Sequence, residues 1–169
     1  MRRAARFAAG AGIGVTLLAI GCGGEELAGP PELRPGRDEC AECGMLVHDE
    51  RAASALLVEQ RGRRAHLLFD DIGCMVDHEA EHGAALGVVD RYVHDHTTKA
   101  WIPSHAAAFL LTDSDSLHTP MGSGIAAFAG ASAEEAQRRF GGEVAGYAAL
   151  GPARRARLEA RFPDGPGGP

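Results

Sequence analysis

Cys40-Ala41-Glu42-Cys43-Gly44-Met45 combines a C-x-x-C with a thioether two residues beyond its second thiol. Such a thiol pair can act as a redox switch, as half of a zinc site or as a soft-metal ligand pair. A thioredoxin-type switch, using Cys40 and Cys43, needs its first cysteine at a helix N-terminus. Here Gly44 and a strand-like segment follow instead. A structural zinc site needs four ligands, commonly from two knuckles, and this chain has a single C-x-x-C. Copper makes use of the methionine as well. In an extended segment, residues i and i+2 project to one face, which would bring the Cys43 thiolate and the Met45 thioether together. Gly44 between them permits close approach. Soft sulfur donors select Cu(I), and a low-coordinate pair leaves room for a ligand from a target, which suits transfer rather than storage.

Other residues compete for a chemical role. His78-Glu79-Ala80-Glu81-His82 matches H-E-x-x-H, in which two histidines on one helix face bind zinc and the glutamate is the general base. A charge at Glu81, a helix expected to stop at Gly83 and the lack of a third ligand at recognisable spacing argue against zinc hydrolysis. A surface pair that picks up Cu(II) or Ni(II) is the alternative. His94 and His96 alternate on a strand and would share a face, as a weak metal pair or a solvated strand end. His48 would face away from Cys43 and Met45. Cleavage of a carbon–metal bond would need two thiols and a proton-donating acid. Cys43, Cys74 and Asp70 would supply them only if the fold brought them together. Cys74 and Met75 read as buried helix residues, and Asp70 and Asp71 as helix caps. No phosphate-binding loop, Ser–His–acid elbow or cofactor fingerprint is present, so the expectation is a protein that is not an enzyme.

The elements that must position these residues begin after a polar lead-in. Residues 23–38, rich in Gly, Pro and charge, read as a tether. Residues 53–60 and 63–69 read as two strands of a hairpin, with a helix from Asp70 or Asp71 to about Glu81 and strands over 87–96 and 99–104. The second half repeats the order. Strands are expected over 107–113 and 124–130, a helix over 132–140 with Ser132 as N-cap and Glu135 completing a capping box, and a strand over 143–147. The predicted fold is α+β, two β-β-α-β units forming small sheets with packed helices.

The N-terminus reads as an export signal. Arg2, Arg3 and Arg6 precede the apolar run FAAGAGIGVTLLAIG, which is shorter than the roughly 20 residues a membrane span requires but suits a signal peptide. It ends at LLAIGC, which resembles a lipobox, so cleavage before Cys22 and lipidation of its thiol are expected. Gly23 in the next position points to the outer membrane. With Cys22 acylated, Cys40, Cys43 and Cys74 remain, an odd number that argues against a pure disulfide framework. The formal charge of −6, without a basic stripe, excludes a nucleic-acid binder. The expected organisation is a signal over 1–21, a lipidated cysteine and tether over 22–38, a metal-binding domain over 39–150 and an Arg/Pro/Gly-rich tail over 151–169.

CAECGM at 40–45, FDDIGCM at 69–75, Trp101-Ile102 and TPMGSGIAAFA at 119–129 together resemble the NosL family, over about residues 40–146. The resemblance implies a lipoprotein copper chaperone for nitrous oxide reductase, working beside an inner-membrane ABC-type maturation complex on the periplasmic side. It implies one Cu(I) held through the Cys-x-Met element, here Cys43 and Met45, with a contributing histidine. His66, His94, His96 and His118 are all open for that role. It also implies a fold similar to the alkylmercury lyase core. Cys40 is either a spare ligand or a disulfide partner of Cys43. Met121, in the Gly-flanked loop PMGSG, either reaches the metal or packs its own loop.

Overall fold

In the computed structural model, which describes residues 26–163, the hairpin expected after residue 53 forms as β1 (Ser54–Gln60) and β2 (Arg63–Phe69). Helix α1 (Ile72–Leu86) follows, then β3 (Val88–His94) and the short β4 (Trp101–Pro103). β5 (Ala107–Leu111), β6 (Ile125–Ala129), α2 (Ser132–Phe140) and β7 (Glu143–Ala145) repeat the pattern, and α3 (Tyr147–Arg161) closes the chain. The two antiparallel sheets have the orders β2-β1-β3-β4 and β6-β5-β7. In each, the first strand of its unit is central, flanked by its hairpin partner and by the strand that returns after the helix. The β-β-α-β repeat read from the sequence is thus present in the topology.

Both faces of β1 are covered, which explains its unbroken buried run. Leu56 and Val58 join Phe69, Ile72, Met75, Val93, Phe109, Ile125 and Leu150 in one core. Ala55 and Leu57 meet Tyr92 and Trp101 on the other side. Each large aliphatic or aromatic side chain removed from water contributes about 1.5–3 kcal/mol, so this core, drawn from both sheets and from α1 and α3, fixes the two units to each other. A parallel bridge between Asp95 and Ala127 adds a backbone link between them. Helix α2 covers the far face of the second sheet, with Ala133 and Ala136 against Leu110, Ala126 and Phe128.

Several boundaries differ from expectation for identifiable reasons. Helix α1 does not stop at Gly83 but continues to Leu86, whose side chain is buried. An interior glycine costs about 1 kcal/mol relative to alanine, less than the burial that the last turn gains. The helix ends at Gly87, whose φ is 59°. A Cβ there would sit 2.5 Å from the carbonyl oxygen of Glu59 in β1, whose amide donates to the Gly87 carbonyl (2.9 Å). Strand β3 stops at His94 because the buried Asp95 carboxylate accepts from the Thr98 hydroxyl (2.6 Å) and the Thr97 and Thr98 amides, bending the chain. Ser132 is the first residue of α2 rather than its N-cap; Ala131 takes the cap position, without a side-chain bond.

Residues 26–38 carry no regular element but bond to the body. The His66 ring bonds to the Gly29 carbonyl (2.8 Å), the Gly36 amide donates to Val47 (2.8 Å), and Arg34 pairs with the buried Asp38. Helix α3 crosses residue 150, where composition marked the start of a tail. Leu150 is fully buried, and Arg154 forms a bidentate pair with Asp77 of α1. No described helix is long and apolar enough to cross a membrane.

Candidate metal centre

Residues 40–45 form a closed turn, not an extended strand. The Gly44 amide donates to the Cys40 carbonyl (2.9 Å), and the Cys40 amide donates to the Met45 carbonyl (2.8 Å). Gly44 takes a φ of 73°, a left-handed value that glycine adopts without Cβ strain. The turn is pinned to the sheet by the Ala41 amide, which donates to Leu68 of β2 (2.8 Å), and is closed at its base by an antiparallel bridge between Glu39 and Leu46. The i, i+2 reasoning that placed Cys43 and Met45 on one extended face therefore does not describe this backbone. Met45 stands outward, 47% exposed, next to the half-buried Cys43.

What the turn faces is the start of α1. Asp71 is its N-cap, accepting from the Gly73 amide (2.7 Å). That fixes Cys74 on the first helical turn, pointing at the 40–43 turn. The ligand atoms of Cys40, Cys43, Cys74 and Asp70 all lie within 4.8 Å of one another. Cys40, Cys74 and Asp70 are buried. The Cys43 thiol donates to Asp70 Oδ1 at 3.6 Å, and the buried Asp70 Oδ2 has no partner. Cys74, set aside in the sequence as a buried core residue, is buried but belongs to this group. Asp70, read as a cap, faces the thiols, while its neighbour Asp71 does the capping. The spacing Asp70-x-x-x-Cys74 across a helix start is the signal that would have found them.

The electrostatics favour a bound cation. A bond from the Cys74 thiol lowers the Cys40 pKa, against burial, to about 6. Burial, with the neighbouring Cys40 and Asp70, pushes Cys43 up to about 11. Cys74 is also pushed up, first by that bond to Cys40 and then by burial. Three thiols crowded into one low-dielectric site cannot all ionise unaided. A soft metal ion supplies the charge that lets them do so, displacing protons as it binds.

Met121 is 40% exposed, and its amide donates to Asp71 Oδ2 (2.9 Å), which ties the 119–124 loop to the same helix start. Among the described residues, the thiol group is made of Cys40, Cys43, Cys74 and Asp70, without a histidine. His66 is held by Gly29, and His118 is exposed. His94 and His96 do not form a pair: His94 is buried against Trp101, and His96 packs against Phe128 of the other sheet. Glu79 of the H-E-x-x-H run is bound by Arg91 of β3 and by the Tyr147 hydroxyl (2.6 Å), so the motif's glutamate is not free to act as general base. Cys22 lies outside the described residues.

The family model for NosL matches residues 33–154. The chain belongs to the NosL family. The solved structure of the copper chaperone NosL from Shewanella denitrificans shares the fold, with a TM-score of 0.55 at 20% identity, covering 70% of this chain and 96% of that one. No curated protein matches the chain. NosL membership sets aside the hydrolase and lyase readings of His78, His82, Cys43 and Cys74.

Proposed function

We propose that this NosL chain is a Cu(I) metallochaperone whose cargo is held by Cys43 and Cys40, with Cys74 completing the sulfur set and Met45 and Met121 as thioether donors at the rim. The observation that carries the reading is the convergence of three thiols beside an unpartnered buried carboxylate oxygen. Thiolates and thioethers suit Cu(I). The exposed side of the group is formed by Cys43 and Met45, where an acceptor's ligand can enter, displace one sulfur at a time and draw the ion away while protons return to the thiols.

The wider role follows from the resemblance and from the copper chaperone of the same fold. Lipidation at Cys22 would tether the domain on the periplasmic side, at the outer membrane. The acceptors would be an ABC-type maturation complex of the inner membrane and the copper clusters of nitrous oxide reductase.

Titrating the reduced chain with Cu(I) against a chromophoric Cu(I) chelator tests the site. One tight site is expected, lost or strongly weakened in Cys43→Ala and in Met45→Ala. Wild-type affinity in Met45→Ala with loss in His78→Ala would relocate it.

A further inference from the structure

Helix α3 ends in a basic stretch of an acidic chain. Residues 154–161 hold four arginines and one glutamate, against a formal charge of −6 for the whole. Arg154, Arg157 and Arg161 line a cleft of about 770 Å³ between α3 and the loop 112–124 that joins β5 to β6. Arg154 is already engaged, bonded to Asp77 through two nitrogens. Arg157 is not. Its Nη1 is buried without a hydrogen-bond partner, packed over Gly124. Its Nη2 comes no nearer than 3.7 Å to Asp113, a side chain 90% exposed. That distance is beyond a hydrogen bond, and so exposed an ion pair holds little. Arg161, one turn further on, projects from the same helix face as Arg157.

The opposite wall carries hydroxyls. Those of Thr119 and Ser123 lie 3.4 Å apart, and that of Ser114 accepts from the Ser116 amide (3.3 Å), which leaves its own proton to give. Guanidinium donors thus come from α3 and hydroxyl donors from the loop. A planar carboxylate offers its oxygens in one plane, whereas a tetrahedral phosphate can meet both walls at once, and guanidinium is well matched to it. The cleft falls within the roughly 300–1,000 Å³ of small-molecule sites, room for an organic group as well as the phosphate. Leu117 and Leu158 give it an apolar lining, and Phe162, next to Arg161, is 46% exposed.

We propose that the cleft between α3 and the 112–124 loop is an organophosphate site, in which Arg157 and Arg161 hold the phosphate of a soluble phosphate ester or of an anionic phospholipid headgroup. The charges that oppose it are Asp113 and Asp115, both exposed residues of the loop. Asp113 stands where the ligand's oxygen would stand, so binding exchanges a loosely held carboxylate for a phosphate that Arg157 bonds directly. Leu158 and Phe162, at i and i+4 on α3, lie beside the arginines, where the acyl end of a headgroup ligand would begin.

The test is titration of the full chain at fixed ionic strength with glycerol 3-phosphate and, separately, with dihexanoyl phosphatidylglycerol below its micelle concentration. The amide NMR shifts of Ser123 and Gly124 are followed, with glycerol as the blank. Saturable shifts with at least one of the two phosphates, and none with glycerol, are expected. Affinity should fall at least about tenfold in Arg157→Gln, through loss of a charge-assisted contact, and should fall also in Arg161→Gln. It should rise in Asp113→Asn, which removes the competing carboxylate. Arg161 and Asp113 are exposed, so those two variants decide the matter even if Arg157→Gln does not fold, which far-UV circular dichroism checks. Tighter binding of the lipid, weakened by Phe162→Ser, assigns the site to a headgroup; equal or tighter binding of glycerol 3-phosphate assigns it to a soluble ester. No saturable shift with either phosphate, unchanged affinity in the arginine variants, or no gain in Asp113→Asn overturns the proposal and leaves Arg157 as a structural partner of Asp113.

Discussion

Cys74 Sγ lies within 4.8 Å of Cys40 Sγ, one thiol from the first turn of a helix and the other from a closed turn on the far side of β2. Neither residue is next to the other in sequence, and both are buried. This contact turns a lone C-x-x-C into a three-thiol group.

Cys74→Ser should therefore weaken Cu(I) binding even though the C-x-x-C and Met45 remain. A loss of about tenfold or more in a chelator competition is expected, since outer-shell partners alone are worth that much. Wild-type affinity would return Cys74 to the role of a core residue.

Asp71 anchors both the helix that presents Cys74 and the loop that presents Met121, through bonds of 2.7 and 2.9 Å. Loss of an N-cap costs about 0.5–2 kcal/mol, and the second bond adds to it. Asp71→Ala should lower the urea midpoint accordingly and also weaken Cu(I) binding. A variant as stable as wild type would contradict the anchoring role.

Asp95 joins the two units at the Asp95–Ala127 bridge. Burial raises its pKa, but bonds from Thr98, Thr97 and Ala129 outweigh this and hold it below the ordinary carboxylate value. A depressed folded pKa stabilises the fold above the unfolded pKa, near about 3.9, and the stabilisation is lost as pH falls through the folded value. Asp95→Asn should cost about 1–3 kcal/mol at neutral pH. The gap from wild type should narrow in acid, as read by denaturant midpoints at several pH values. A gap independent of pH would show that the carboxylate charge is irrelevant.

The repeat of β-β-α-β units was legible in the sequence because each strand is a short apolar run and each helix has a recognisable start at Asp71 or stop at Gly141. The cysteines of the 40–45 turn were legible by type and spacing. Their geometry was not, because a closed turn and an extended strand are equally compatible with a glycine at position 44. Cys74 was hidden for a different reason. On a buried helix turn a thiol looks like any small apolar residue, and only the docking of the 40–43 turn onto β2 reveals what it faces. Glu79 shows the reverse case. Its motif suggested catalysis, whereas its tertiary partners, Arg91 and Tyr147, make it a structural acid.

X-ray absorption at the copper edge of the Cu(I)-loaded chain tests the central claim most directly. A shell dominated by sulfur, reduced by one scatterer in Cys43→Ser, is the predicted result. A shell of nitrogen and oxygen alone, unchanged in that variant, would contradict a thiol-held copper and move the cargo away from the 40–45 turn.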